Sequence, residues 1–320
     1  MKAVIKESWA ADAPLVMKEI STREPRMGEV RVAVKAASVN PADWKMLESG
    51  SASLAGRLLR PRGPVPAGLD FAGIVEAVGR RVSHVKPGDA VAGISLAFLG
   101  QQGSYAESLI VPARMCCRLP EGVDFISAAT LPVAGYTAWH AVADIGRLKA
   151  GENALILGAS GGVGHLAVQI AKHVCGGFVV GVCSARNEKL VRDLGADEVI
   201  DYTKGDSLEQ AEQFAPFQVV VDCVGDYPGN KCRKLLGSGG RHVNVSPNSP
   251  SAIAHLVSSP LRSRTLLGVP TGRQLLPVAR AVAEDRIKVI VSKEYPLAEI
   301  DAAFEQSKSG RTVGKIVLIP

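Results

Sequence analysis

The sequence predicts an α/β protein in which a doubly wound parallel sheet is inserted into a β-rich domain. Three observations predict it. The first third of the 320 residues carries short strand patterns punctuated by Pro25, Gly28, Pro87-Gly88-Asp89 and Gly93, with few long helical patterns. From Leu155 onward strand and helix patterns alternate, as a parallel sheet covered on both faces requires. The chain then ends on further strand pattern, which a doubly wound half does not need. These shifts place the β-rich domain in residues 1–122 plus 286–320 and the wound domain in residues 123–285, two domains of usual size.

Taken in order, residues 1–5, 29–38 and 72–78 read as strands, and residues 124–130 and 134–142 turn helical. Leu155, Phe178, Glu198, Val219, Arg241 and Thr265 begin or sit in the strands of the wound sheet. Residues 275–284 are helical, 289–291 extended, a helix lies around 300–307, and 315–319 form a last strand expected to rejoin the first domain.

Composition excludes several classes. The chain is 47% hydrophobic and 21% charged, ordinary globular material. Its net charge of +6 favours anionic ligands, yet no basic run or aromatic-basic interleaving points to nucleic acid. Residues 1–5 are too short and too charged for a signal core, and no apolar stretch reaches the roughly 20 residues that span a bilayer. A soluble protein is expected, in the cytoplasm or, soluble or peripheral, in an organelle such as the chloroplast. Cys116, Cys117, Cys175, Cys183, Cys223 and Cys232 show no C-x-x-C spacing, so neither disulfides nor a structural zinc is expected. Cys116-Cys117 reads as the close of a strand without chemistry. The six histidines show no metal-ligand pairing, and no G-x-S-x-G elbow occurs.

Residues 153–157 form an apolar run of strand length, Gly158-Ala159-Ser160-Gly161-Gly162-Val163-Gly164 follows, and Leu166, Ile170 and Val174 recur at helical spacing. Glycines where a buried strand becomes a helix let backbone amides approach a pyrophosphate and aim a helix N-terminus at its charge. Ser160, Gly161, Gly162 and Val163 are the expected contacts. Ala159 stands where the usual fingerprint has its first glycine.

The next strand, 177–183, ends in Ser184-Ala185-Arg186-Asn187. An NAD-selective fold places an acid there, about 20 residues past the glycines, to bind the ribose hydroxyls, and none is present. Ser184 and Asn187 offer neutral hydrogen bonds and Arg186 a guanidinium suited to a ribose phosphate, so NADPH is expected. Arg186 as a solvated charge opening a surface helix is the competing reading. Val224-Gly225 and Val245-Ser246 follow strands of the wound sheet and are further candidate cofactor contacts.

These pieces together resemble the medium-chain dehydrogenase/reductase superfamily and, within it, the zinc-independent quinone oxidoreductases. The motifs that carry the resemblance lie at residues 38–45 (Ser38-Val39-Asn40-Pro41-Ala42-Asp43-Trp44-Lys45), 68–75, 85–91, 131–138, the glycine turn, 194–202 and 314–318. They cover nearly the whole chain in the family's order. The first motif and Ser184-Ala185-Arg186-Asn187 are most similar to plant envelope quinone-oxidoreductase homologues and their bacterial relatives. The resemblance implies a Rossmann domain inserted into a GroES-like domain. It also implies cofactor contacts at Thr137 and Tyr202, which lie in quoted motifs.

Zinc alcohol dehydrogenases of this superfamily carry Cys where this chain has Asn40, a His-Glu pair at Leu69-Asp70, and a further Cys near Val133-Ala134. An amide and aliphatic side chains cannot replace thiolate and imidazole on zinc, so no metal is expected. The alcohol proton relay is missing too, at Ala42 and Lys45. The reaction left open is hydride transfer to a quinone or an α,β-unsaturated carbonyl, with donors stabilising charge at the carbonyl oxygen. Asn40, Lys45 and Tyr136 are the candidate catalytic donors, and Asn40 and Lys45 also candidate cofactor contacts. Against these stand bland roles: a turn cap for Asn40, a core ring for Tyr136, a solvated charge for Lys45. Asp43 is expected to brace the loop by accepting backbone hydrogen bonds. Alternative functions are a zinc-type alcohol dehydrogenase and a non-catalytic NADPH-binding or scaffold protein. Residues 264–269, apolar at Leu266-Leu267, read as an edge strand through which a homodimer forms.

Overall fold

In the computed structural model, residues 1–8, 13–48, 65–97, 101–245, 263–265 (backbone only) and 269–320 are described. The chain divides into two compact units. One comprises Met1–Val133, Val269–Ala283 and Val291–Pro320, the other Ala134–Gly268 and Glu284–Ile290.

The first unit contains β1 (Lys2–Lys6), β2 (Leu15–Glu19), β3 (Glu29–Val39), β4 (Val65–Pro66), β5 (Asp70–Val78), β6 (Ala90–Ile94), β7 (Ser108–Pro112) and β8 (Cys116–Arg118). β3 is the organising strand. Val30, Val32 and Val34 alternate inward along its first half, the period-two pattern of a sheet with one buried face. β5 pairs antiparallel along one side of β3, while β7 takes the first half of the other side.

Among the described residues the second unit carries a six-stranded sheet of β9 (Asn153–Leu157), β10 (Phe178–Cys183), β11 (Glu198–Asp201), β12 (Phe217–Asp222), β13 (Leu236–Asn244) and β14 (Ser263–Thr265). Their order is β11-β10-β9-β12-β13-β14 and every pairing is parallel. The order reverses beside β9, the topological switch point where such sheets bind ligands. Leu155, Ile156, Leu157, Val179, Val180, Val182, Val219, Val220 and Val221 have no exposed surface, because helices cover both faces. β14 is the terminal described strand. Of the expected dimer edge, Leu266, Leu267 and Gly268 lie outside the described residues, as does Ser246.

β15 (Val291–Pro296) and β16 (Lys315–Ile319) return to the first unit, where β16 pairs with the second half of β3. The expected strand at 289–291 begins only at Val291. The side-chain amide of Gln169 accepts from the Lys288 amide at 2.7 Å and donates to the Lys288 carbonyl at 2.8 Å, so these backbone groups are committed to the second unit.

The segments 123–133 and 269–283 pack with the first unit, unlike the division expected from sequence. Helix Phe125–Ala129 lies on β3, β5 and β6. Helix Gly272–Ala283 buries Leu275, Val278 and Ala279 against β8 and β6, and starts so close to β8 that a Cβ on Gly272 would lie 1.9 Å from the Cys116 carbonyl oxygen. Cys116 and Cys117 are buried in β8. Among the described residues no helix is long and apolar enough to cross a membrane.

Candidate active site

In the second unit the glycine turn stands at the carboxyl end of β9. Gly158 takes φ +78°, and its amide and that of Ala159 donate to the Val182 carbonyl at 3.1 and 2.8 Å. Gly158 thus makes the turn, and Ala159, fully buried, fills the place of the missing first glycine without cost to it. Helix Gly164–Gln169 begins against this turn, and a Cβ on Gly164 would lie 2.1 Å from the Gly158 carbonyl oxygen. Ser160, Gly161, Gly162 and Val163 are partly exposed between the buried strand and buried helix. A pyrophosphate fits such a cradle, since at Gly161 and Gly162 no side chain would stand between the backbone and a ligand.

The loop after β10 lies beside the cradle, where Asn187 Nδ2 donates to Ser160 Oγ at 2.9 Å. Arg186 is exposed and pairs with no carboxylate among the described residues. The nearby acid is Asp201, at the end of β11, and one of its two oxygens is already occupied. Asp201 Oδ1 accepts from the Thr203 amide and hydroxyl at 3.0 and 2.8 Å and from the Ala185 amide at 3.1 Å, while the buried Oδ2 has Lys204 Nζ at 3.8 Å. The Thr203 hydrogen bonds hold this carboxylate below its usual range. Tyr202 next to it is 53% exposed, open to a ligand.

On the other side of β9, the buried carboxylate of Asp222 accepts from the amides of Val224 (2.9 Å), Gly225 (2.8 Å) and Tyr227 (3.3 Å) and from Asn244 Nδ2 (3.3 Å). It folds the Val224-Gly225 turn toward the cradle, so that a Cβ on Gly158 would come within 2.9 Å of Val224 Cγ2. Val245 donates its amide to the Asp222 carbonyl at 3.0 Å. Sequence reasoning singled out Val224, Gly225 and Val245 as candidate contacts but missed Asp222, the group that shapes their loops. Tyr136 and Thr137 lie in the helix Tyr136–Trp139; Tyr136 is 5% exposed, its ring is stacked on His140, and burial raises the pKa of its hydroxyl.

The first unit holds a buried polar cluster built by strand register. Val317 of β16 faces Ser38 of β3, and Ser38 faces Asp70 of β5. Lys315, Asn40 and Asp70 therefore converge where β3 enters the helix Pro41–Glu48. Asn40 is 2% exposed. Its Nδ2 donates to Asp70 Oδ2 at 2.9 Å, its Oδ1 accepts from Lys315 Nζ, and its backbone amide donates to Asp43 Oδ2 at 2.7 Å. Ser38 Oγ donates to the same Asp70 oxygen at 2.8 Å, and Lys315 Nζ also reaches the Val39 carbonyl at 3.2 Å. Asp43 braces the loop as its position implies; Asp70 and Lys315 were missed. Lys45, on the helix, carries its ammonium 5.5 Å from the Trp44 ring centre.

Burial pushes the Asp43 carboxyl up to about 7, aided by the Asp70 charge, and Asp70 up to about 6, against the pull of Lys315. Burial lowers Lys315 against the attraction of both carboxylates. Each acid binds its proton more tightly folded than unfolded, so from about pH 4 to about pH 7 this cluster loses stabilising influence as pH rises. Between pH 5 and pH 8 the melting temperature of Asp43→Asn is expected to fall less than that of the unaltered chain. Equal slopes in parallel calorimetric scans would contradict this assignment.

Zinc does not fit these residues. Leu69 belongs to an apolar cluster with Ile94 and Met115, against which Ala42, Met46 and Val133 pack. The amide oxygen of Asn40 is already the seat of an ammonium. The positions that would supply thiolate and imidazole thus supply hydrocarbon and an engaged amide.

Comparison with known proteins extends these observations. A family described as alcohol dehydrogenase GroES-like domain matches residues 26–121, and one described as zinc-binding dehydrogenase matches residues 194–318. A chloroplast envelope quinone oxidoreductase homolog from Arabidopsis thaliana is 32% identical over 317 residues, covering 94% of this chain and 93% of that protein. The structure of a quinone oxidoreductase from Coxiella burnetii is similar with a TM-score of 0.88 at 30% identity, covering 100% of this chain and 99% of that one. The Escherichia coli quinone oxidoreductase, solved in complex with NADPH, gives a TM-score of 0.82 at 25% identity over 100% of both chains.

Proposed function

We propose, from the premise that this chain belongs to the medium-chain dehydrogenase/reductase superfamily and is a nicotinamide-dependent oxidoreductase with quinone oxidoreductase homologues, that it uses NADPH to reduce quinones or α,β-unsaturated carbonyls without a metal. The observation that carries this reading is the Asn40 amide, held by an ammonium and a carboxylate beside an apolar cluster where a zinc enzyme needs its ligands. When bound, NADPH supplies a hydride. The chain's own residues need only hold a flat apolar electrophile and donate a hydrogen bond to the carbonyl oxygen on which negative charge collects. Asn40 is the donor in this reading, and Ala42, Met46, Leu69 and Val133 offer the apolar surface.

The choice of NADPH rests on Arg186. Its guanidinium is exposed, and Asp201, the acid that could have served a ribose diol, has one oxygen engaged by the Ala185 and Thr203 amides and its other oxygen buried. Ser184, Asn187 and Tyr202 complete the proposed ribose-phosphate contacts. Arg186→Ala is expected to weaken NADPH binding by about 1.5 to 3 kcal/mol, the contribution of a hydrogen bond to a charged group, and to leave NADH nearly unchanged. Fluorescence titration with both cofactors measures the difference, and equal losses would refute the assignment. An NADPH-binding scaffold without activity is separated from this reading by turnover with a quinone.

A further inference from the structure

We infer that Lys315, together with Asp70, is a positioning residue that fixes which way the Asn40 amide faces and so presents one of its N–H groups to the substrate carbonyl. The inference rests on Asn40 being the donor in the proposed reaction. Lys315 lies at the start of the last strand, far from Asn40 in sequence, yet it is 3% exposed and its Nζ reaches Asn40 Oδ1. The opposite end of the same amide donates to Asp70 Oδ2 at 2.9 Å. An amide has two nearly isosteric orientations. Turned by half, this one would set its N–H groups against the ammonium and its carbonyl against the carboxylate, replacing two hydrogen bonds by two repulsions.

Nδ2 carries two hydrogens, and Asp70 takes one. Orientation by Lys315 keeps the other on the nitrogen side of a fixed plane, which a lone buried Asn would not ensure. The ammonium at Oδ1 also polarises the amide and makes Nδ2 a better donor. A purely structural role for Lys315 would need only the Val39 carbonyl and the Asp70 charge. The engagement of the amide oxygen is what ties the lysine to the donor.

The test is a double-mutant cycle on the full chain with NADPH and 1,4-benzoquinone. Lys315→Met is expected to lower kcat about tenfold with little change in the quinone KM, less than the about 100-fold cost of deleting such a donor. In the Asn40→Ala background the same substitution is expected to change kcat less than twofold. Multiplicative losses, or a Lys315→Met enzyme with unaltered kcat, would overturn the inference. Asn40→Ala with unaltered kcat would overturn the donor reading first and the inference with it. Asp70 and Asp43 can take up protons when the lysine is lost, which favours folding of Lys315→Met. If that variant fails to fold, Asp70→Asn enters the same cycle, with the same non-additivity expected and additivity again the contrary result.

Discussion

Gly161→Ala is expected to weaken NADPH binding about 100-fold, within the contribution of a hydrogen bond to a charged group, while leaving the fold as stable as before. A Cβ there would meet only the Gly158 carbonyl oxygen at 3.4 Å, an ordinary contact, and Gly161 does not occupy the left-handed region. The added methyl therefore meets no clash in the folded chain and, in the proposed reading, stands where a pyrophosphate approaches the backbone amides. Gly164→Ala is the informative contrast. Its Cβ would collide with the Gly158 backbone at 2.1 Å, so the turn must open, and both melting temperature and cofactor affinity are expected to fall. Calorimetry beside NADPH titration distinguishes the two glycines. A Gly161→Ala chain that binds NADPH normally would show that the turn is not the pyrophosphate cradle.

Asn40→Ala is expected to lower kcat with quinones by about 10²–10³, the cost of removing one donor to a developing oxyanion. The residue lies between Asp70 and Lys315, so its loss also leaves two buried charged groups with one partner fewer. A stability loss of about 1 to 3 kcal/mol should accompany it. The kinetic effect separates from the structural one because only the former appears as a fall in kcat of fully folded enzyme. Steady-state assays at saturating NADPH read it directly, and a kcat within threefold of the unaltered chain would contradict a donor role.

How much of this was legible in the sequence depends on how locally each feature is encoded. The cradle is contiguous, so its strand, glycines and helix could be read together, and Leu155, Phe178, Glu198, Val219, Arg241 and Thr265 all fall in parallel strands. That Gly158 rather than residue 159 makes the turn required the backbone angle. The apolar stripe of helix Gly272–Ala283 shows that it covers a sheet, but not which one, and it covers β8 and β6. The late start of β15 depends on Gln169, more than a hundred residues earlier in the chain. Asp70 and Lys315 were invisible as partners for the same reason. Only the registers of β16 on β3 and of β3 on β5 bring their side chains to Asn40.

In the proposed function this chain transfers hydride from NADPH to a conjugated carbonyl without a metal. That transfer is tested most directly by following NADPH absorbance with a panel of benzoquinones, naphthoquinones and enals, using protein freed of metal by prolonged chelation. Substrate-dependent NADPH oxidation is expected, at a rate unchanged by chelation. Activity that vanishes with the chelator and returns with zinc, or no oxidation with any member of the panel, would contradict it.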